Sequence, residues 1–259
     1  MGTTEFEQFY AALYRDRWPA LREALVGPQS AVALEEGLQR PYFLDEASLD
    51  AARALDVEPG DTVLDLCAAP GGKSLVLALA AGPTGSLVAN DRSSARRSRL
   101  KRVITDHLPS LLAERVRITS HDATRWGVYE KNAYDRVLVD VPCSSERHLL
   151  SSPAHLAKWS PARTRHLAAQ GYAMLAAAVD AARAGGTILY STCTLSPLEN
   201  DEVVERILKR REGLVAGERV QAFCGEPTRY GWIILPDRCA GRGPIYFARL
   251  SKRTASDAS

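Results

Sequence analysis

Short apolar runs alternate with amphipathic stretches along most of the chain after residue 46. The apolar runs have the length of buried strands, and they lie at 62–66, 86–89, 116–119, 135–139 and 187–190. The stretches with helical spacing lie near 72–80, 93–106, 160–182 and 198–211. This alternation predicts a doubly wound α/β fold with a mostly parallel sheet. Two last apolar runs, 232–235 and 245–248, predict an antiparallel edge.

The first 45 residues follow a different pattern. Apolar side chains such as Phe6, Trp18 and Leu25 recur there with helical spacing, with breaks near Pro19 and 27–28. We expect this aromatic stripe to be a packing surface rather than a ligand site. The pattern divides the chain into a helical N-terminal extension over 1–45, a main domain over 46–252 and a small, polar, disordered tail over 253–259.

Charge is unevenly distributed, although the net charge is only +2. Basic residues cluster in two segments, comprising Arg92, Arg96, Arg97, Arg99, Lys101 and Arg102 in the first and Arg206, Lys209, Arg210 and Arg211 in the second. Such clusters contact phosphates in nucleic-acid-binding proteins, but they also occur as solvated helix faces. The sequence leaves both interpretations open.

The five cysteines bear on cofactors and cellular location. They show no C-x-x-C spacing and have no histidine partners suited to a zinc site, so we expect no metal. Unpaired thiols are typical of a reducing compartment. Residues 1–7 lack the features of a targeting sequence, and no apolar run is long enough to cross a membrane. These observations predict a cytoplasmic, soluble protein.

A turn with two glycines follows the first predicted strand of the main domain, at Cys67, Ala68, Ala69, Pro70, Gly71, Gly72 and Lys73. Residues 72–74 match the end of a P-loop, but that motif needs glycine at position 67, which disfavours a triphosphate site. Glycines at a helix N-terminus still suit a smaller anion, because free N–H groups and the helix dipole attract it. The methionine carboxylate of S-adenosylmethionine is such an anion.

Acidic residues follow the next two strands. Asp91 comes about 20 residues after the glycines, where nucleotide-binding α/β domains hold ribose hydroxyls. Asp122 ends the third strand and is placed to reach an adenine amino group. Either residue alone is equally well explained as the cap of the following helix. Acids at successive strand ends favour the cofactor interpretation.

Two cysteines follow the fourth and fifth strands, Cys143 in the run 140–144 and Cys193 in the run 190–194. A thiolate that adds to C6 of cytosine makes C5 nucleophilic. Asp140 is placed to hold a proton against cytosine N3 during this addition. A free thiol has a pKa of about 8.5, so neighbours that the sequence does not identify must lower it. Buried packing is the alternative for a cysteine after a strand.

Together these motifs resemble the Sun/Fmu family of RNA cytosine-5 methyltransferases. The resemblance covers about residues 41–250 and includes Gln170, 185–186 and 199–200. It implies the class I methyltransferase (Rossmann-like) fold, S-adenosylmethionine as cofactor and RNA as substrate. It also implies that Cys193 attacks C6 and that Cys143 helps to release the product. DNA cytosine methyltransferases instead use the cysteine of the P-C motif as nucleophile.

The same resemblance assigns a cofactor site. It implies that residues 67–73 hold S-adenosylmethionine, that Asp91 binds the ribose, that Arg96 borders the cofactor and that Asp122 approaches the adenine. Asp140 belongs to both the catalytic and the cofactor-binding set.

The chain departs from many relatives after the P-C-S motif, where Ser145 stands in place of glycine. It lacks room for the RNA-binding modules of larger members, so RNA affinity would come from the N-terminal extension, the basic segments or a partner protein. The compact ribosomal RNA enzymes of mitochondrial type are the most similar members. We therefore predict 5-methylcytosine formation in ribosomal RNA, with transfer RNA as an alternative substrate and an idle ribosome-assembly factor as an alternative function.

Overall fold

A computed structural model describes residues 2–254 of the protein, with side chains from residue 4 onward. The α-helices are α1 Gly2–Tyr14, α2 Trp18–Val26, α3 Glu46–Arg53, α4 Gly72–Ala81, α5 Ser94–His107, α6 Ser110–Ala113, α7 Glu146–Leu150, α8 Pro153–Leu156, α9 Pro161–Ala181 and α10 Asp201–Arg210. The strands are β1 Ala31–Leu34, β2 Tyr42–Asp45, β3 Thr62–Asp65, β4 Ser86–Asn90, β5 Val116–Thr119, β6 Tyr134–Asp140, β7 Ala182–Thr192, β8 Val215–Glu218, β9 Glu226–Pro227, β10 Trp232–Ile234 and β11 Ile245–Lys252. Short 3-10 segments lie at Arg15–Arg17 and Ala123–Val128.

The large sheet has the strand order β5-β4-β3-β6-β7-β11-β10-β9. The strands from β3 to β7 run parallel, and β11 pairs antiparallel with β7, which confirms the predicted α/β fold. β7 is longer than predicted, because Ala182 already pairs with Tyr134 of β6. The antiparallel part also differs from the prediction. β11 is internal, since it lies between β7 and β10 and also pairs with β8, and β9 forms the edge.

The sheet is covered on both faces. Side chains alternate across β3, so that Val63 belongs to the core cluster that includes α3, α4 and α5, whereas Leu64 belongs to the cluster on the opposite face, which includes α9 and α10. The chain order along the sheet reverses between β3 and β6, because β4 and β5 extend to one side and β6 and β7 to the other. Ligands of open α/β sheets bind at the carboxyl ends of the strands beside such a reversal.

The N-terminal extension packs against this body. Phe6, Tyr10 and Trp18 are buried in the same core as α9, and the Phe6 ring lies 5.3 Å from that of Trp159, as expected for a packing surface. The extension predicted as helical over 1–45 is helical only to Val26. It continues as the antiparallel pair β1–β2, and Asp45 at the end of β2 accepts a hydrogen bond from Ala47 N and so caps α3.

The start of the predicted tail is attached to the fold. Arg253 N donates a hydrogen bond to the Leu214 carbonyl at 2.8 Å. The remainder of the predicted tail, 255–259, lies outside the described residues. Among the helices in residues 2–254, none combines the length and the apolar character needed to span a bilayer.

Candidate active site

Two cavities adjoin at Cys67, at the carboxyl ends of the parallel strands. The first has a volume of 310 Å³ and is lined by Asp91, Arg96, Asp122 and Gln170 among others. The second has a volume of 220 Å³ and is lined by the glycine turn, Lys73 and Asp140. The Cys67 thiol, whose pKa is raised by burial, lines both. Together they form an elongated site that suits a nucleoside at one end and an amino-acid group at the other.

The turn that lines the second cavity depends on its glycines. Gly71 has a φ of +121°, and a Cβ there would lie 2.9 Å from the Val103 side chain. A Cβ at Gly72 would lie 2.9 Å from the Tyr42 ring. A side chain at Gly71 would therefore strain the backbone, and a side chain at either position would collide with the residues packed against the turn. α4 begins at Gly72, so its N-terminal N–H groups lie beside the cavity.

Asp65 is a feature of this cavity that the sequence pattern did not single out. Its Oδ2 accepts a hydrogen bond from the Ser74 hydroxyl at 2.7 Å, whereas Oδ1 is buried without a partner. Burial raises the pKa of this carboxyl group to about 7. An unpartnered carboxylate oxygen next to a helix N-terminus fits the two charged groups of an amino acid, an ammonium and a carboxylate.

Asp91 and Asp122 both line the first cavity, and each accepts a backbone hydrogen bond from the segment that follows it, although only Asp122 is a helix cap, because Ser93 caps α5. Asp91 Oδ1 accepts from Ser93 N at 2.9 Å, and Asp122 Oδ1 accepts from Thr124 N at 3.0 Å. The Thr124 hydroxyl also donates to Asp122 and lowers the pKa of that carboxyl group. The capping alternative therefore holds for Asp122 and not for Asp91, while both carboxylates face the first cavity.

Arg96 also lies where the resemblance implied, at the border of the first cavity. Its Nε lies 3.2 Å from Asp91 Oδ2, and its Nη2 donates to the Ala69 carbonyl. The guanidinium thus connects the glycine turn to the acid that follows β4.

Asp140 lines the second cavity at the end of β6, three residues before Cys143. Its Oδ2 accepts from Lys73 Nζ at 2.8 Å, and its Oδ1 accepts from the Ser191 hydroxyl at 2.9 Å. β6 and β7 are paired at this point, with Asp140 opposite Ser191. Both oxygens of Asp140 are therefore oriented by fixed donors, one from each side of the site.

The two cysteines face each other at the ends of β6 and β7. Their Sγ atoms are 3.1 Å apart, and Cys193 N also donates to Cys143 Sγ at 3.2 Å. The pKa of the exposed Cys193 thiol is lowered, first by the hydrogen bond with Cys143 and further by Ser145 and Lys73. The pKa of Cys143 is raised by the same bond and by burial. Cys193 is thus the accessible sulfur that ionises more readily.

A third cavity, of 360 Å³, is lined by Cys193, Ser145 and His148. It shares Ser48 with the second cavity, so the thiol and the glycine turn serve neighbouring spaces. Ser145 has a φ of +54°, in the left-handed region that favours glycine. This backbone conformation explains physically why glycine suits the position and why serine there carries strain.

Buried carboxylates hold the two cysteine loops, and the sequence pattern did not assign them a role. Glu146 accepts hydrogen bonds from Leu195 N and from the Thr194 hydroxyl. Glu199 accepts from both the backbone N and the hydroxyl of Ser144. The E-N pair of the family resemblance was a signal for Glu199, whereas no local signal marked Glu146.

The remaining candidates lie outside this cluster or only at its border. Gly186 packs against the backbone of Tyr134, away from the cavities, because a tight approach of β6 and β7 requires a small residue there. In the second basic segment, Lys209 pairs with Glu205, and the Arg206 guanidinium lies over the Tyr172 ring. Residues 2–254 contain no group of three or more His, Cys, Asp or Glu side chains arranged to hold a metal ion.

Comparisons with known proteins identify the family to which the chain is similar. A family model described as 16S rRNA methyltransferase RsmB/F matches residues 52–243. The chain is 40% identical over 235 residues to the 5-cytosine rRNA methyltransferase NSUN4 of Bos taurus, which covers 84% of this chain and 61% of the bovine protein. It is 36% identical over 227 residues to the mitochondrial tRNA (cytosine(34)-C(5))-methyltransferase of Danio rerio, covering 83% of this chain and 61% of that protein.

The fold is also found in a solved structure. The crystal structure of NSun6 from Pyrococcus horikoshii with SFG matches with a TM-score of 0.71 and 26% identity, covering 85% of this chain and 54% of that chain. The chain therefore spans only part of each of these proteins, 61% in the case of the two curated relatives.

The prediction of a cytoplasmic location is wrong. It rested on the free thiols and on residues 1–7, whereas the similar protein of Danio rerio carries the word mitochondrial in its name. Free thiols persist in any reducing compartment, so they do not discriminate between these locations.

Proposed function

Because the chain belongs to the 16S rRNA methyltransferase RsmB/F family, we propose that it transfers a methyl group from S-adenosylmethionine to C5 of cytosine in RNA. The membership confirms the family resemblance of the motifs. The observation that carries it is the pair of thiols at 3.1 Å, of which Cys193 is exposed with a lowered pKa.

We propose that the cofactor lies along the first and second cavities. The N–H groups at the start of α4 and the free Oδ1 of Asp65 suit the methionine carboxylate and ammonium. Asp91 suits the ribose hydroxyls, and Asp122 suits the adenine amino group. The bound cofactor supplies an electrophilic methyl group. Lys73 and the backbone of residues 67–72 close the site at the end nearest Asp140.

The protein's own residues account for the activation of cytosine. Cys193 lines the third cavity, where an unstacked cytosine can enter, and its thiolate adds to C6. Asp140 holds a proton against N3 as negative charge develops on the ring. This addition makes C5 nucleophilic, so that C5 would take the methyl group that the cofactor supplies. The C5 proton then passes to solvent, the electrons of its bond form the C5–C6 double bond, the N3 proton returns to Asp140, and the bonding electrons to C6 leave with the Cys193 sulfur.

Cys143 supports the last step. Its raised pKa keeps it protonated, and its sulfur lies 3.1 Å from that of Cys193. A thiol in this position donates a hydrogen bond to the departing thiolate and so stabilises the leaving group. This is the release role that the family resemblance implied.

Ribosomal RNA is the substrate that we propose, since the bovine relative is named for it. Transfer RNA is the second candidate, because the relative from Danio rerio is named for that substrate. We propose that RNA is held by the exposed face of α5, with Arg99, Lys101 and Arg102, or through a protein partner. Residues 1–45 serve as a packed extension of the methyltransferase domain at 46–252.

Transfer of tritium from labelled S-adenosylmethionine tests the proposal. Purified protein is incubated with ribosomal RNA and, separately, with transfer RNA, and bisulfite sequencing locates the product. We expect 5-methylcytosine in ribosomal RNA. Methylation of transfer RNA and not of ribosomal RNA would identify transfer RNA as the substrate. Cofactor binding without transfer to either RNA would favour the idle assembly factor.

A further inference from the structure

Each of the two cysteine loops carries a carboxylate that binds the other loop. Glu146 lies three residues after Cys143, yet its Oε2 accepts from Leu195 N at 2.8 Å and its Oε1 from the Thr194 hydroxyl at 2.7 Å. These two partners come directly after Cys193. The carboxylate of the first loop therefore holds the backbone that follows the second cysteine.

Glu199 makes the reciprocal contact. It lies six residues after Cys193, and its Oε2 accepts from Ser144 N at 2.9 Å while its Oε1 accepts from the Ser144 hydroxyl at 2.5 Å. Ser144 directly follows Cys143. The Thr194 hydroxyl lies 3.4 Å from Glu199 Oε1, so the two halves of the arrangement also touch each other.

This arrangement is energetically costly to bury. Glu146 is 0% exposed and Glu199 is 1% exposed, and no Lys, Arg or His forms an ion pair with either among the described residues. Burial raises the pKa of both carboxyl groups, and it raises the pKa of Glu199 to about 7. Two hydrogen-bonded carboxylates without a cation stabilise a fold less than apolar packing would. What they fix instead is the position of the groups that they bind.

The arrangement reaches the N-terminal extension. The Tyr10 hydroxyl of α1 donates a hydrogen bond to Glu146 Oε1 across 136 residues of sequence. Tyr10 itself is fully buried, and its ring stacks on that of Trp18 in α2 at 5.3 Å. α1 is thus tied to the loop of Cys143 by a polar contact as well as by packing.

We propose that Glu146 and Glu199 form a reciprocal brace that sets the separation of the Cys143 and Cys193 sulfurs, and that Tyr10 makes the N-terminal extension part of this brace. All three are positioning residues, since none of them lines the first, second or third cavity. Their importance for turnover rests on the proposed function, whereas their effect on the distance between the sulfurs does not.

The rate of disulfide formation between the two cysteines measures the brace without RNA or cofactor. Diamide accepts two electrons and two protons and becomes a hydrazine, while the two thiols become one disulfide. The rate depends steeply on how closely the sulfurs approach. We expect rapid closure in the wild type and at least a ~10-fold slower closure in Glu146→Ala and in Glu199→Ala, because a misplacement of ~1 Å costs up to about 100-fold in such reactions.

Conservative variants separate positioning from bulk stability. Glu146→Gln and Glu199→Gln keep one acceptor oxygen for the backbone N–H, and their amide groups can donate to the hydroxyls, so they should close within ~3-fold of the wild-type rate. In the methyl-transfer assay the alanine variants should lose kcat and keep the KM for S-adenosylmethionine.

A matched pair of tyrosines covers the case in which the alanine variants fail to fold. Tyr10→Phe removes only the hydroxyl that binds Glu146 and should slow disulfide closure by a few-fold. Tyr134→Phe removes a similarly buried hydroxyl that binds Glu130 at the start of β6, at the opposite end of that strand from Cys143, and should leave closure unchanged. Wild-type closure rates in Tyr10→Phe and in folded alanine variants would overturn the brace, whatever the methyl-transfer assay shows.

Discussion

The two sides of the active site are held together by different kinds of contact. On the cofactor side, Asp91 and Asp122 bind backbone N–H groups two residues further along the chain. On the thiol side, the contacts of Glu146 and Glu199 join residues 49 and 55 positions apart. A contact between residues two positions apart can form as soon as its own segment folds. A contact between residues about 50 positions apart needs the complete tertiary fold. The cofactor side should therefore tolerate damage to the thiol side, and the reverse.

Asp140 is the residue at which this separation should fail, because it binds Lys73 on one side and Ser191 on the other. Asp140→Asn removes the proton donor to N3, so we expect a loss of about 100- to 10,000-fold in single-turnover methyl transfer. The half-buried Glu205→Gln, at a residue that pairs with Lys209 within α10, serves as control and should transfer at the wild-type rate. Methyl transfer by Asp140→Asn within a few-fold of wild type would remove Asp140 from the proposed chemistry.

Glu199→Gln sharpens the comparison through pH. The pKa of Glu199 is about 7 in the folded protein because of burial, above its ordinary value of 4.5, so the folded state binds this proton more tightly than the unfolded state does. Folding stability is therefore lost as the pH rises from 4.5 through 7. Glutamine removes this loss. At pH 8 the variant should be more stable than the wild type by up to about 3 kcal/mol, with no gain near pH 4.5.

Urea unfolding at both pH values measures the difference. A gain that is equal at pH 4.5 and pH 8 would show that Glu199 does not change its protonation on folding.

Asp91→Asn perturbs the cofactor side alone. Asparagine keeps an acceptor for Ser93 N, and Ser93 itself caps α5, so the start of the helix should not change, while the charged acceptor for the ribose is lost. We expect the Kd for S-adenosylmethionine to rise about 10- to 100-fold by calorimetry. The rate of Cys193 alkylation by iodoacetamide should not change. A change in both would show that the two sides are coupled by more than Asp140.

Ser145→Gly should have the smallest effect. It should raise the stability of the fold and lower the reactivity of the Cys193 thiol. Glycine adopts a φ of +54° without strain, so the variant should gain about 1 kcal/mol and a few degrees in Tm. The Ser145 hydroxyl also lowers the pKa of Cys193, and its loss should move the alkylation profile of Cys193 to higher pH. A Tm gain with an unchanged profile would remove Ser145 from the list of groups that activate the thiol.

The same contrast explains how much could be predicted from sequence. The parallel strands and the glycine turn have local signals, since Gly71 and Gly72 follow an apolar run and precede a helix. The pair β1–β2 was missed, because its short apolar runs lie within a longer helical pattern. Glu146 was missed because nothing near it in sequence indicates that its partners follow Cys193. Capping and cofactor contact by Asp91 were posed as alternatives, and the sequence could not show that Ser93, rather than Asp91, caps α5 while Asp91 lines the first cavity.

The identity of the attacking sulfur is tested most directly by trapping the protein on RNA with either cysteine removed. Cys143→Ala, incubated with substrate RNA and S-adenosylmethionine, should accumulate a covalent complex, and mass spectrometry should place the nucleotide on the peptide that contains Cys193. Cys193→Ala should form no complex and transfer no methyl group, while Cys224→Ala behaves as the wild type. A complex formed by Cys193→Ala but not by Cys143→Ala would contradict the account and reverse the two roles.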